Sequence, residues 1–237
     1  SSFGKVLGIL YAIFIIGGAF GGGNMFQANQ SYALVGALTG IPNWMYGIML
    51  SILVSVVIFG GIESIGKTTE KIVPPMVILY VLTSLFIIIT NISELPNVLY
   101  QIFYQAFKPE ALYGGFLGAL IVGIKRAVFS NEGGVGSASI AHSAAKTDEP
   151  VREGIVAMIG PFIDTIVICF MTASVILITA DNNPIYQEYI GNAKTTFAIG
   201  AEMTSAAFGS VFIWFPWILA IVVFLFSYST MISWYYY

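Results

Sequence analysis

Long runs of apolar residues recur along this sequence, and each is long enough to cross a lipid bilayer. A membrane-spanning helix needs about 20 mostly apolar residues. Six stretches meet that length, at about residues 5–38, 42–62, 72–90, 112–146, 153–179 and 208–237. We interpret the more polar segments between them as connections, with short helices over the extracellular mouth at residues 184–205. The sequence therefore predicts an all-α polytopic membrane protein with about six transmembrane helices.

The low charge content excludes a soluble protein and a nucleic-acid-binding protein. Only 9% of the 237 residues are charged, whereas soluble domains carry about 25%. The nine basic residues are scattered, so no basic patch for a nucleic acid exists. If each stretch spans once, five of these basic residues share one side of the membrane. The positive-inside rule assigns that side to the cytoplasm, so the first helix runs outward.

The fourth apolar stretch is interrupted near its middle by a polar, glycine-rich run. Residues 130–137 read SNEGGVGS, and Gly133, Gly134 and Gly136 permit backbone dihedrals that other residues rarely adopt. Irregular backbone at membrane depth persists only where protein or water covers it. The pattern predicts two half-helices whose ends face each other inside the membrane.

These two helix ends suit a ligand that carries both charges, such as an amino-acid zwitterion. Free carbonyls at the end of the first half-helix suit an ammonium group or a cation. Free N–H groups at the start of the second suit a carboxylate. Glu132 supports a binding site, because an ionisable group in a membrane is costly. The alternative is that the glycines only allow close helix packing.

A second polar cluster lies in the first apolar stretch. Asn24, Gln27 and Ser31 are spaced by three and four residues, so an α-helix would present them on one face. They either contact a ligand or join neighbouring helices by hydrogen bonds, and the spacing favours neither reading.

The last stretch carries hydroxyl residues that include Ser229 and Thr230. Hydroxyl oxygens suit a hard cation such as Na⁺. From spacing alone, donation to carbonyls one turn earlier is the better interpretation.

Other polar residues of the apolar stretches have structural interpretations. Arg126 can pair with Asp164 or Glu132 and so reduce the cost of burying charge. His142 is expected to be a satisfied interfacial residue rather than a proton relay. Since we find no metal-ligand cluster, nucleophile elbow or phosphate loop, the sequence does not predict an enzyme.

Several contiguous motifs are similar to one transporter family. Residues 126–138 (RAVFSNEGGVGSA), 141–147 (AHSAAKT), 150–154 (PVREG) and 160–165 (GPFIDT) resemble the signature of the alanine or glycine:cation symporter family. Residues 23–29 (GNMFQAN) resemble the third-helix motif of that family. The resemblance covers nearly the whole chain.

The resemblance implies the leucine-transporter-type fold, an inverted repeat of five plus five helices. Our six helices would be its helices three to eight, in one transmembrane domain over 1–237. Residues 1–110 would end the first repeat, and residues 111–237 would start the second. We expect the chain to be a fragment that lacks the first, second, ninth and tenth helices.

The resemblance also implies a function, Na⁺-coupled symport of alanine or glycine across the plasma membrane, with no other cofactor. The partners would be a small amino acid, Na⁺ and the bilayer. The implied sodium ligands are Ser229 and Thr230. The implied substrate-binding residues are Asn24, Gln27, Phe129, Ser130, Asn131, Glu132, Gly133 and Gly134.

Three other functions remain open from the sequence. The first is an ion channel, in which glycine-rich backbone lines a selectivity filter. The second is a membrane scaffold that transports nothing. The third is symport coupled to protons instead of Na⁺.

Overall fold

The computed structural model describes residues 2–106, 116–132, 134–191 and 200–236. Within these ranges all regular structure is helical, which confirms the all-α prediction. The chain divides into two compact units, which we describe separately. The first contains Ser1–Tyr80, Thr196–Ser205 and Trp214–Tyr237, and the second contains Val81–Thr195 and Ala206–Ile213.

The helices follow one another with short connections. In the first third of the chain they are α1 (Ser2–Gly18), a first π segment (Ala19–Phe26), α2 (Gln27–Thr39), α3 (Asn43–Ile58) and α4 (Gly61–Thr90). Next come α5 (Leu95–Ala106), α6 (Phe116–Asn131), α7 (Ser137–His142), α8 (Pro150–Phe162), a second π segment (Ile163–Cys169) and α9 (Phe170–Ile178). The last are a 3₁₀ turn (Ala180–Asn182), α10 (Pro184–Gly191), α11 (Gly200–Gly209) and α12 (Phe215–Trp234).

Four described helices are long and apolar enough to cross a bilayer. They are the continuous helices Phe3–Thr39, Gly61–Thr90, Pro150–Ile178 and Phe215–Trp234. The second predicted span corresponds to α3, which is apolar but has only 16 residues. The interrupted span begins in residues outside the described part of the chain. The total of six therefore stays a prediction.

One predicted connection is helical instead. We expected residues 63–71 to lie outside the membrane helices and Pro74 to open the next one, but α4 already begins at Gly61. Pro74 and Pro75 lie inside this helix, where each removes one backbone donor. Good helix formers precede them, including Glu63 and Lys67 at the favourable four-residue spacing. The helix therefore continues through the prolines.

The predicted connection at residues 91–110 also contains a helix, α5. Its apolar residues Leu95, Val98, Leu99 and Ile102 recur at helical spacing, and Val98 is buried. This helix contacts α9 within the second unit. Its length of 12 residues is too short to span, and the polar residues around it concealed its period.

The core of the first unit is formed by α3 and α12, with α2 packed beside them. Tyr46 and Leu50 of α3 are almost fully buried, as is Ile232 of α12. The Tyr46 hydroxyl donates a hydrogen bond to Ser31 Oγ at 2.7 Å, and the Tyr228 hydroxyl donates to the Leu53 carbonyl at 2.9 Å. These bonds pin α2 and α12 to α3.

Buried apolar residues of the second unit come from α4, α5, α9 and α11. They are Ile87, Ile88, Val98, Met171, Val175, Ala207 and Phe208. The unit also contains α6, α7 and α8, which contact one another and the second π segment. Through these contacts the interrupted helix is held against the span Pro150–Ile178.

Candidate functional site

The interruption predicted from the sequence is present between α6 and α7. Glu132, Gly134 and Gly136 have φ angles of 51°, 78° and 89°, all in the left-handed region. Gly133 lies outside the described residues. The Val135 N–H donates to the Glu132 carbonyl at 3.2 Å, which closes a tight turn. Left-handed residues cannot continue a right-handed helix, so the chain must break here.

Glu132 adopts its left-handed conformation although it carries a side chain. That conformation costs about 1–2 kcal/mol for a residue other than glycine. The Glu132 carboxylate accepts a hydrogen bond from Ser137 Oγ at 2.6 Å, and Ser137 is fully buried. A carboxylate beside the first residue of a helix also interacts favourably with the helix dipole. Both interactions offset the backbone strain.

This contact changes our expectation for the second half-helix. The sequence analysis reserved the start of α7 for the carboxylate of a ligand. The structure places the carboxylate of Glu132 there instead. The helix is also short, with six residues.

The last turn of α6 carries the other predicted residues of the break. The Ser130 hydroxyl donates to the Asp164 carboxylate. Asn131 Nδ2 donates to Thr165 Oγ1 at 3.0 Å. Phe129 lies beside them with its side chain 42% exposed. Two consecutive residues of α6 thus contact two consecutive residues of the second π segment.

Sequence reasoning did not assign Asp164 and Thr165 to the site. We paired Asp164 with Arg126, and the structure gives its carboxylate the Ser130 hydroxyl as a partner. The ion pairs predicted for Arg126 stay predictions. A usable signal was the position of two polar residues three and four places after Pro161, inside an apolar span.

Asn24 and Gln27 lie where the first π segment joins α2. Asn24 Nδ2 donates to the Ala19 carbonyl at 2.7 Å, five residues earlier. The prediction that these residues share a face with Ser31 assumed α-helical spacing throughout. Because the helix is π-helical up to Phe26, the direction of Asn24 differs from that assumption. Asn24 and Gln27 are both half-buried.

Ser229 and Thr230 lie in the second half of α12. Both hydroxyls donate to the Phe226 carbonyl at 2.9 Å, as the spacing alone indicated. A hydroxyl that donates its proton keeps its lone pairs. The implied role as sodium ligands is therefore compatible with these bonds and stays a prediction.

A close approach at Gly23 brings α12 against the first π segment. A Cβ atom added to Gly23 would lie 2.5–2.7 Å from the Trp234 side chain. Only glycine fits at such a distance. The segment that carries Asn24 and Gln27 is thereby packed on the same helix as Ser229 and Thr230. The predicted site residues thus form two groups, one in each unit.

We predict that Gly23→Ala destabilises the protein by about 1–3 kcal/mol, because the added methyl group overpacks a buried contact. Gly21→Ala is the matched control, since no described atom lies within 4 Å of the added carbon. The thermal unfolding midpoint in detergent should fall for Gly23→Ala and stay or rise for Gly21→Ala. Equal midpoints for both variants would show that the Trp234 contact is absent in solution.

His142 forms a contact between α7 and α8. Its Nδ1 lies 2.6 Å from Glu153 Oε1. The histidine is therefore satisfied, in agreement with the sequence analysis. Its predicted position at the membrane interface stays a prediction.

Comparison with known proteins decides the family. The model of the sodium:alanine symporter family matches residues 3–237. The chain belongs to this family. Among curated members, it is 41% identical over 235 residues to the sodium/alanine symporter AgcS of Methanococcus maripaludis, covering 99% of this chain and 50% of that protein.

Two relatives from Bacillus subtilis have broader names. The amino-acid carrier protein AlsT is 35% identical over 236 residues, which cover 98% of this chain and 47% of that protein. The "Probable sodium/glutamine symporter GlnT" is 35% identical over 235 residues, covering 98% and 46%. This chain thus spans about half the length of the sodium:alanine symporter family members that it matches.

Membership in the sodium:alanine symporter family confirms the recognised resemblance. The family consists of symporters and not of enzymes. Together with the four apolar helices of spanning length, it identifies an integral membrane protein. The specific substrate and coupling ion belong to the proposal that follows.

Proposed function

We propose that the protein is a Na⁺-coupled symporter of alanine or glycine in the plasma membrane. The observation that carries this proposal is the interrupted helix at residues 131–137, within a chain of the sodium:alanine symporter family. Broken helices near the bilayer centre are the usual place where secondary transporters bind substrate and ion.

We propose that the substrate ammonium group lies at the end of α6. The last carbonyls of a helix have no partner within it and carry partial negative charge. The Glu132 carboxylate follows this helix end directly and adds a full negative charge. An ammonium group is therefore attracted to this side of the break.

The substrate carboxylate requires donors other than the start of α7, where Glu132 already lies. The glycine-rich turn supplies N–H groups whose approach no side chain blocks, and no described atom lies within 4 Å of a Cβ added to Gly134. Gly133 is proposed to contribute in the same way. Ser130, Asn131 and Phe129 complete this part of the site.

The residues of the first unit are proposed to supply the remaining contacts. Asn24 and Gln27 offer amide groups for the substrate. Ser229 and Thr230 offer hydroxyl oxygens for Na⁺, which prefers oxygen ligands. Transport would follow from alternating access, with the leucine-transporter-type fold and the chain as helices three to eight.

The experiment for substrate choice is competition against uptake of labelled alanine by the full-length protein in proteoliposomes. Unlabelled alanine or glycine should abolish the uptake at low concentration, whereas glutamine, which is named for a relative, should compete weakly. Stronger competition by glutamine than by either small amino acid would contradict the proposed substrate. Replacing Na⁺ by choline at two pH values separates Na⁺ coupling from proton coupling.

A further inference from the structure

The second π segment contacts the end of α6 through two adjacent hydrogen bonds. Ser130 donates to Asp164, and Asn131 donates to Thr165. Residues 130 and 131 are the last before Glu132, whose left-handed backbone begins the break. The two bonds thus act on the residues that lead into the break.

The π-helical conformation explains how neighbouring residues both reach α6. In an α-helix with 3.6 residues per turn, consecutive side chains diverge by about 100°. A π-helix has hydrogen bonds from residue i to i+5, so its turn is wider and the divergence is smaller. Asp164 and Thr165 are the second and third residues of the π segment Ile163–Cys169. Both side chains can therefore meet one helix end.

We infer that Asp164 and Thr165 are positioning residues for amino-acid binding at the break. Asp164 orients the Ser130 side chain, and Thr165 orients the Asn131 amide, before the substrate arrives. Neither residue contacts the substrate in this account. The inference rests on the proposed function, because it assigns a role in the binding site described there.

Pre-orientation raises affinity because the free site then loses less conformational freedom when the ligand binds. The asparagine amide is the group most affected, since either its oxygen or its nitrogen can face the ligand. Thr165 Oγ1 accepts from Asn131 Nδ2 and also lies 3.3 Å from Asn131 Oδ1. Removing this hydroxyl would free the amide to rotate.

The test compares Thr165→Val with Thr165→Ser in the full-length protein, with labelled alanine as the probe and the dissociation constant as the readout. Valine keeps the shape of threonine but lacks the hydroxyl, whereas serine keeps the hydroxyl. Hydrogen bonds between membrane helices contribute about 0.6–1.7 kcal/mol, so we expect about threefold to fifteenfold weaker binding for Thr165→Val. Thr165→Ser should bind alanine like the wild type.

Thr172→Val is the matched control for the loss of a threonine hydroxyl in the same span. The Thr172 hydroxyl donates to the Ile168 carbonyl of its own helix. This variant should bind alanine like the wild type, and the thermal unfolding midpoint should not separate it from Thr165→Val. Wild-type affinity in Thr165→Val would overturn the inference.

Asp164 is tested by Asp164→Asn and Asp164→Leu. Asparagine keeps an oxygen that can accept from Ser130, so its affinity should stay close to the wild type, whereas leucine should weaken binding. If both variants weakened binding equally, the charge of Asp164 would matter and the positioning role would be wrong. If the wild type itself failed to bind alanine, the proposed function would fall, and with it the inference.

Discussion

In the Gly134→Val variant we expect alanine binding to weaken by on the order of 100-fold or more. Gly134 has a φ angle of 78°, which a β-branched residue adopts only with strain. The valine side chain would also fill the open space beside the turn and block the approach of a substrate carboxylate. Strain and the loss of a hydrogen bond to a charged group together cost about 3–5 kcal/mol.

The measurement is the equilibrium affinity for labelled alanine, with Gly123→Val as the matched control. Gly123 lies inside α6, and no described atom lies within 4 Å of a Cβ added there. Valine is compatible with its helical backbone, so this control should keep most of the wild-type affinity. Unchanged alanine affinity in Gly134→Val would show that the substrate does not bind at the break.

The second large effect is expected for Glu132→Gln. Glutamine retains an oxygen for the Ser137 hydroxyl but removes the negative charge beside the end of α6. Hydrogen bonds to charged groups contribute about 1.5–3 kcal/mol, so alanine uptake should fall about tenfold to 150-fold. Initial uptake rates at low alanine concentration, corrected for the amount of reconstituted protein, provide the measurement.

Glu149→Gln is the control for the loss of one carboxylate. Glu149 and Arg152 form an exposed ion pair at 3.6 Å near the start of α8. Exposed pairs contribute little, so this variant should transport within about twofold of the wild type. Wild-type uptake in Glu132→Gln would favour the membrane scaffold over our account of the site.

The break was predictable because its cause is local. Gly134 and Gly136 adopt backbone angles that the sequence itself makes accessible, and a polar run within an apolar stretch marks the position. The partner of Glu132 was not predictable in the same way. The Ser137 hydroxyl lies five residues along the chain, and only the geometry of the turn brings the two side chains together.

The two π segments were not predictable from composition. Whether a carbonyl accepts from the fourth or the fifth following residue depends on packing around the helix, and the same residues fit either pattern. The contacts of Ser130 with Asp164 and of Asn131 with Thr165 depend on that choice and on the crossing of two helices. Each pair is 34 residues apart in sequence, beyond any local pattern.

Two errors in the fold had simpler causes. We interpreted polar content as a sign of connections, although α5 has a clear apolar face formed by Leu95, Val98 and Ile102. We also treated Pro74 as a helix start, whereas α4 begins at Gly61 and continues past it. Helical period is therefore better evidence than polarity for helices that do not span the membrane.

The most direct test of Na⁺-coupled amino-acid symport is uptake of labelled alanine by the full-length protein in proteoliposomes, with and without an inward Na⁺ gradient. We predict that the gradient drives accumulation of alanine above its external concentration. Dissipating the gradient with a sodium ionophore should reduce uptake to equilibration. Alanine flux of the same size and extent with and without the Na⁺ gradient would contradict the account.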